Sequence, residues 1–315
     1  MTEDSSLIRT LSGQPTQLLL GYNAIEMHDS ELRQVSCERH VHVVTLWLNA
    51  LALFADAFAP GRVFNSNADE DDSVTRKAYA LRLQLLGLSG RNSKPALDLI
   101  VAGYYTEAFA LIRGMLEGWA RTLYIRLRPH EYHRWYESET ELAEGQLRKK
   151  EPSFGEVDGV IAADGDTEDR AFFDEANLRF RLLSMGTHPS GHGITQIHDY
   201  ERGVMLFNPV YREDLCLHAF YHGLFAQRVL LDEVVSLGPQ SEDWLELLGH
   251  FLRLCEPIHL SIQPVLEEEA KILEEERAAK RAARAAAKIC VANKSAITVT
   301  NPSNGPFSET EGKEI

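Results

Sequence analysis

Apolar positions along this chain recur mostly at three- and four-residue intervals, and alternation is confined to one short stretch. The pattern predicts helices at 36–59, 73–88, 94–128, 168–184 and 211–237, a further core helix opening at Ser241, and one small hairpin near 195–208. The fold class this implies is all-α, a bundle of about seven or eight helices. The 36–59 segment is apolar nearly all round, the mark of a buried element, with His42, Thr45, Asn49 and Asp56 sharing one face.

The longest such run, Lys94 to Arg128, is the expected centre of the bundle, with Gly103 kinking or dividing it. At about 100° per residue, Thr106, Ala110, Arg113, Gly114, Glu117 and Arg121 fall on one narrow face. A face meant only for solvent would carry long helix formers, since each glycine in a helix costs about 1 kcal/mol against alanine. Gly114 and Gly118, spaced G-x-x-x-G, instead predict the close approach of another backbone. Arg113, Glu117 and Arg121 are therefore expected at a tight, partly buried seam, paired along the helix and with a further partner.

Around this centre the chain divides into an N-terminal arm (1–30), the bundle (31–266), an exposed charged helix (267–288) and a disordered tail (289–315). The acidic stretch at 65–73 reads as a loop that caps the next helix. Residues 130–150 read as a surface helix, acidic at its start and basic at its end. The Gly- and Asp-rich residues 151–167 read as a linker or lid. The 168–184 helix is expected to end at Met185 and Gly186, and THPSGHG at 187–193 to form a loop. Pro257 and Pro264 are expected to bend or interrupt the last core helix. In 267–288, pairs such as Glu267 with Lys271 and Glu276 with Lys280 support an Ala-rich helix whose five terminal bases complement its own dipole.

Composition narrows the function classes. A net charge of -15 argues against a nonspecific nucleic-acid coat or an anionic membrane surface as the default partner. Cys37, Cys216, Cys255 and Cys290 are scattered without a C-x-x-C, so neither a disulfide nor a zinc ribbon is expected, and a reducing, cytoplasmic compartment is. The N-terminus lacks the basic start and apolar core of a signal peptide. Val43 to Ala59, interrupted by Asn49 and Asp56, falls short of the roughly 18 to 20 apolar residues a span requires. No Walker-type or dinucleotide-type glycine loop occurs, so no cofactor is expected.

Candidate chemistry rests on a few side chains. His218 and His222, spaced i,i+4 on a helix, can hold a metal through two imidazoles, with Glu107 or Glu117 as further ligands; two interface histidines satisfied by hydrogen bonds give the same pattern. Ser184 and His188 would suit a nucleophile and a base, but no nucleophile elbow surrounds Ser184, so a helix-terminal hydroxyl explains it as well.

The run GYYTEAFALIRGMLEGWARTLYIR, followed by RLLSMGTHPSGHG, resembles uncharacterised bacterial all-helical proteins. These carry a G-x-x-x-E-A-x-x-L-x-R-x-x-x-E helix and, in some, a later S-x-x-x-H loop. The matching positions are Gly103, Glu107, Ala108, Leu111, Arg113 and Glu117, then Ser184 and His188, and about a third of the chain is covered. A second resemblance is to the HEPN ribonucleases, helical proteins whose R-x(4–6)-H motif cleaves RNA without metal, usually across a dimer. Arg181 and His188 have that spacing, but Leu182 departs from the usual polar residue, and Gly186 with Pro189 takes the histidine off a regular helix.

The combined expectation is an internal Arg/Glu/His polar site, built from Arg113, Glu117, Arg181, Ser184 and His188, that recognises a small anion or cleaves RNA in a homodimer, away from any membrane. The opposing expectation is an interaction module whose charged seam only fixes helix register and whose 267–288 helix meets a protein partner.

Overall fold

The computed structural model of the protein describes residues 15–59, 73–135, 152–187, 198–199, 204–205, 211–238 and 240–299. Its elements are α1 Pro15–Arg39, α2 Val41–Ala57, α3 Ser73–Arg91, α4 Ser93–Val101, α5 Tyr105–Leu127, a 3-10 helix Pro129–Tyr132, α6 Phe154–Asp164, α7 Thr167–Thr187, the short strands β1 His198–Asp199 and β2 Val204–Met205, α8 Glu213–Val235 and α9 Glu242–Val299. The class is all-α, with ten helical segments among the described residues where seven or eight were expected. His198 pairs with Met205 and Asp199 with Val204, antiparallel; the rest of the 195–208 stretch lies outside the described residues.

Several boundaries differ from expectation, each for a local reason. The N-terminal arm holds a helix, and the single helix expected over 36–59 breaks at His40, where α1 and α2 meet at 96°. The His40 ring caps that corner from inside, its Nε2 2.8 Å from the Tyr211 hydroxyl. Gly90 does not end α3: a Cβ there would lie 2.0 Å from Phe54 Cε1, so its bareness lets α2 lie close, and the helix runs on to Arg91. The 151–167 linker is instead the helix α6, opened by a capping box in which Ser153 and Glu156 satisfy each other's backbone N–H, and anchored by buried Val157 and Ile161. Helix α7 continues through Gly186 to Thr187, and α9 runs unbroken past Pro257 and Pro264 to Val299. Of the expected surface helix at 130–150, the described part is the 3-10 helix and the few residues that follow it.

The expected division at Gly103 is present. Gly103 has φ 83°, its N–H bonds to Ile100 O at 3.1 Å and that of Tyr104 to Leu99 O at 2.9 Å, a Schellman ending that a Cβ would strain. Helix α5 then runs through the middle of the bundle, packed against α3, α4, α6, α7 and α8. It buries Phe109, Ile112, Met115, Leu116, Trp119, Leu123 and Ile125. The G-x-x-x-G reading holds at Gly118, where a Cβ would meet Ser89 Oγ of α3 at 1.7 Å; Gly114 lies under Asn92 more loosely, at 3.1 Å. Trp47 of α2 fills the space that Gly223 leaves on α8, and Trp244 donates from Nε1 to Leu53 O at 3.0 Å, fastening the start of α9 to α2.

The chain divides into two compact units, Met1–Ile262 and Gln263–Ile315, and the bundle above is the first. In the second, α9 buries Leu266, exposes Val265 and Ile272, and pairs Lys271 with Glu268 at 3.3 Å rather than with Glu267. Among the described residues no single helix is long and apolar enough to cross a membrane.

Candidate functional site

On α5, Glu117 accepts from Arg121 at 3.1 Å, the two side chains 36% and 25% exposed, so they form a partly buried i,i+4 pair. Arg113 takes no part in that pair. Its guanidinium lies over the Phe180 ring at 4.7 Å, and Phe180 stacks in turn on Phe154 at 4.1 Å, so the cation closes an aromatic stack joining α5, α6 and α7.

That contact does bring Arg113 to the turn of α7 that carries Arg181 and Ser184. Ser184 Oγ donates back to Phe180 O at 2.6 Å, the bond of a hydroxyl inside a helix, and its proton is engaged there. His188 lies outside the described residues.

One turn earlier on α7 the structure assembles an Arg/Glu/His cluster from other residues. Glu175 and Arg179, spaced i,i+4, face α8. Arg179 is 1% exposed, and its Nε and Nη2 donate to Glu175 Oε1 at 2.8 and 2.6 Å. Its Nη1 reaches Tyr221 O at 3.4 Å and His222 Nδ1 at 3.3 Å, and the guanidinium lies 4.4 Å over the Phe225 ring. Every edge of this arginine is thus occupied within the protein.

Burial, reinforced by the charges of Arg179 and His218, holds His222 well below the ordinary histidine pKa, so it is neutral. With Nδ1 accepting from Arg179, its proton belongs on Nε2. On α9, His259 Nδ1 lies 3.4 Å from Glu175 Oε1. Burial lowers its pKa too, opposed by Glu175 and Glu256 and assisted by Arg179 and Arg228.

Arg228, on α8, completes the cluster and differs from Arg179. Its guanidinium lies 5.2 Å over Phe172, and no carboxylate among the described residues pairs with it. Asp232, one turn further on, feels its charge without touching it. Arg179, Arg228, His259 and Tyr221 contribute to a small open cleft of about 20 Å³ between α7, α8 and α9, whose remaining wall is Leu224, Phe225, Cys255, Ile258 and Ile262. Burial raises the Cys255 thiol to about 12, which leaves it an inert wall atom.

The metal expectation for His218 and His222 does not suit this geometry. The two rings are neighbours, 6.1 Å apart, but Arg179 occupies His222 Nδ1 and would repel a cation. No group of three or more His, Cys, Asp or Glu among the described residues is placed to hold a metal.

A second ionic cluster, which the sequence reading missed, ties four helices. Glu233 of α8 is 2% exposed and meets Arg82 of α3 at 2.7 Å and Arg126 of α5 at 3.2 Å. Arg126 also pairs with Asp169 of α7, whose N–H is capped by Asp166 at 2.8 Å. Two cations face two carboxylates, so the tetrad is neutral. The signals were present for both clusters, in the E-x-x-x-R spacing of Glu175 and Arg179 and in charges set within apolar runs at Arg126 and Glu233, but neither shows which helix supplies the partner.

No protein-family model matches the chain, and no curated protein or solved structure is significantly similar to it. The fold and the cluster describe an all-α bundle with a buried arginine at the base of a cleft and, beside it, a second arginine that no carboxylate among the described residues pairs with.

Proposed function

We propose that this protein binds a small anion in the cleft between α7, α8 and α9. In this reading the anion recognition expected at Arg113 and His188 belongs to Arg228, backed by Arg179, Glu175, His222 and His259. The observation that carries it is Arg228: a cation lining a solvent-open cleft with no carboxylate partner among the described residues, beside an arginine whose own donors are already used. Charge held in a partly desolvated cleft is costly unless countered, and a guanidinium edge presents two parallel N–H donors that an oxyanion fits. Arg179 then acts as the positioning residue, fixing His222 and Glu175 and through them the wall on which Arg228 sits.

The test is titration of the purified protein with acetate and with inorganic phosphate, followed by calorimetry and thermal shift. Saturable binding by the parent that Arg228→Gln abolishes is the expected result. RNA cleavage by the parent that is lost in Arg181→Ala and His188→Ala but kept in Arg228→Gln would move the site to the end of α7. Absence of both binding and cleavage would leave the clusters as ties between helices and favour the interaction module.

A further inference from the structure

We infer that a second, separate site lies between α2 and the first turns of α9, and that it takes a small organic ammonium with a compact apolar body. The place is a groove of about 280 Å³ lined by Asn49, Ala52, Leu53 and Asp56 of α2 and by Leu247, His250 and Phe251 of α9. These positions run i, i+3, i+4, i+7 on one helix and i, i+3, i+4 on the other, so each helix turns one continuous stripe to the groove. Trp244 holds the two together through its bond to Leu53 O. The groove shares no residue with the cleft between α7, α8 and α9, so the two sites are tested independently.

The first ground is the floor. Leu53 and Phe251 are 6% and 2% exposed, while Leu247, which lines the same groove, is 59% exposed. An apolar group laid against them removes hydrocarbon from water on both sides of the contact. Asp56 and Asn49 stand two turns apart, about 10.5 Å along the helix, with Ala52 and Leu53 between them. A ligand whose charged end meets Asp56 therefore lays its body on the apolar floor, and the volume suits one ring with a short stem.

The second ground is the sign of the charge. Helix α2 contains no lysine or arginine, and the first cation of α9 is Arg253, after Glu242, Asp243 and Glu246. Asp243 and Glu246 lie one turn before Leu247 and His250, on the same side of the helix. Arg253 reaches instead toward Gly249, where a Cβ would lie 3.6 Å from its Nη1, and Gly249 falls about 160° round the helix from Leu247. These stretches thus bring acids and the His42 and His250 imidazoles to this face. Helix α2 also ends at Ala57 with no basic residue in its last turn, so the negative end of its dipole lies beside Asp56. Both effects favour a cation.

The experiment is calorimetry on the full-length protein at pH 7 with four probes: phenethylammonium, phenethyl alcohol, hydrocinnamate and methylammonium. The first three share an aromatic body and run from positive to neutral to negative; the fourth keeps the charge without the body. Affinity should fall along that series by about three- to fivefold at each step, the effect of a charge beside an exposed carboxylate. Methylammonium should bind at least about tenfold more weakly than phenethylammonium, as burial of one face of the ring implies. In Asp56→Asn, with an unchanged helical spectrum, phenethylammonium should fall to the level of the alcohol. In Leu247→Ser, an exposed position, the ammonium and the alcohol should weaken alike.

Equal affinity for phenethylammonium and phenethyl alcohol would overturn the charge argument, and equal affinity for phenethylammonium and methylammonium the apolar body. Binding that survives both substitutions would overturn the placement. A parent that binds no probe would overturn the proposal outright, and sedimentation as a dimer that Leu247→Ser dissociates would then show that a second copy covers the groove. The charge series uses the parent protein alone, so it decides the matter even if a variant does not fold.

Discussion

Helix α8 carries two arginine clusters, and they resolve their charge in opposite ways. At Glu233 the arithmetic closes: Arg82 and Arg126 meet Glu233 and Asp169, and four helices are tied at a position with almost no exposure. At Arg228 the pairing is open: Glu175 is spent on Arg179, and among the described residues no carboxylate contacts Arg228, Asp232 acting on it only from a distance. Burial of charge alone therefore does not mark a site. Imbalance beside open space does, because a balanced cluster has nothing further to bind, whereas an unbalanced one gains free energy from any counter-ion that reaches it.

The largest effect that would break this contrast is at the tetrad. Glu233→Gln leaves Arg82 without its carboxylate and two cations sharing Asp169 alone, and the expected loss is roughly 3 kcal/mol or more in urea denaturation. A loss below about 1 kcal/mol would mean that the tetrad is solvated and no different in kind from a surface pair.

The next effect concerns pH and His222. Unfolded, this histidine titrates near its ordinary 6.5; folded, it stays neutral to well below that value. Above pH 6.5 neither state takes up a proton there, and as pH falls below 6.5 the unfolded chain gains one that the folded chain refuses. Stability should thus decline on acidification by up to about 1.4 kcal/mol per pH unit at this residue. His40 and His259 are shifted in the same direction and add to the slope. Melting temperatures of the parent and of His222→Gln, measured from pH 7.5 to 5.5, isolate its share: the variant should show the flatter curve, and parallel curves would show that the ring can accept a proton in place.

Two smaller effects sharpen the comparison. Arg228→Gln should change stability by no more than about 0.5 kcal/mol in either direction, since no ion pair among the described residues is broken, and should abolish anion binding. A loss of several kcal/mol would instead make Arg228 part of the scaffold. Glu117→Gln, which removes the partly exposed i,i+4 partner of Arg121, should cost about 0.3 to 0.5 kcal/mol; a cost near that of Glu233→Gln would mean that this pair is fully desolvated.

The sequence was legible where a local signal is sufficient. Gly103 announced the α4–α5 break because a left-handed residue needs no partner to be recognised. Gly118 announced a close approach, although not that Ser89 would make it. The capping box at Ser153 and Glu156 was equally local, yet Gly155, Gly159 and the surrounding Asp residues obscured it, and α6 was read as a linker. Pro257 and Pro264 were expected to bend or interrupt the last helix because each removes a backbone donor; α9 is not interrupted at either.

An internal Arg/Glu/His polar site was expected from Arg113, Glu117, Arg181, Ser184 and His188, and His188 lies outside the described residues. A separate cluster of the same residue types forms from Arg179, Glu175, His222 and His259. Of these, His222 was singled out, but for a metal.

The sequence by itself determined what depends on neighbours within a turn: helical class, the central place of the 94–128 run, and the glycines that let helices touch. Only the tertiary structure decided which charges meet. Glu175 and Arg179 form one i,i+4 pair and Glu117 and Arg121 another, and their spacing is identical. One pair is buried against α8 and the other lies half in water because of how α5 and α7 turn in the bundle, and that rotation is fixed by the joint packing of residues far apart in the chain, such as Trp47 against Gly223 and Arg113 against Phe180. Whether Arg228 finds a carboxylate is a property of that packing, and no pattern in the residues around it records the answer.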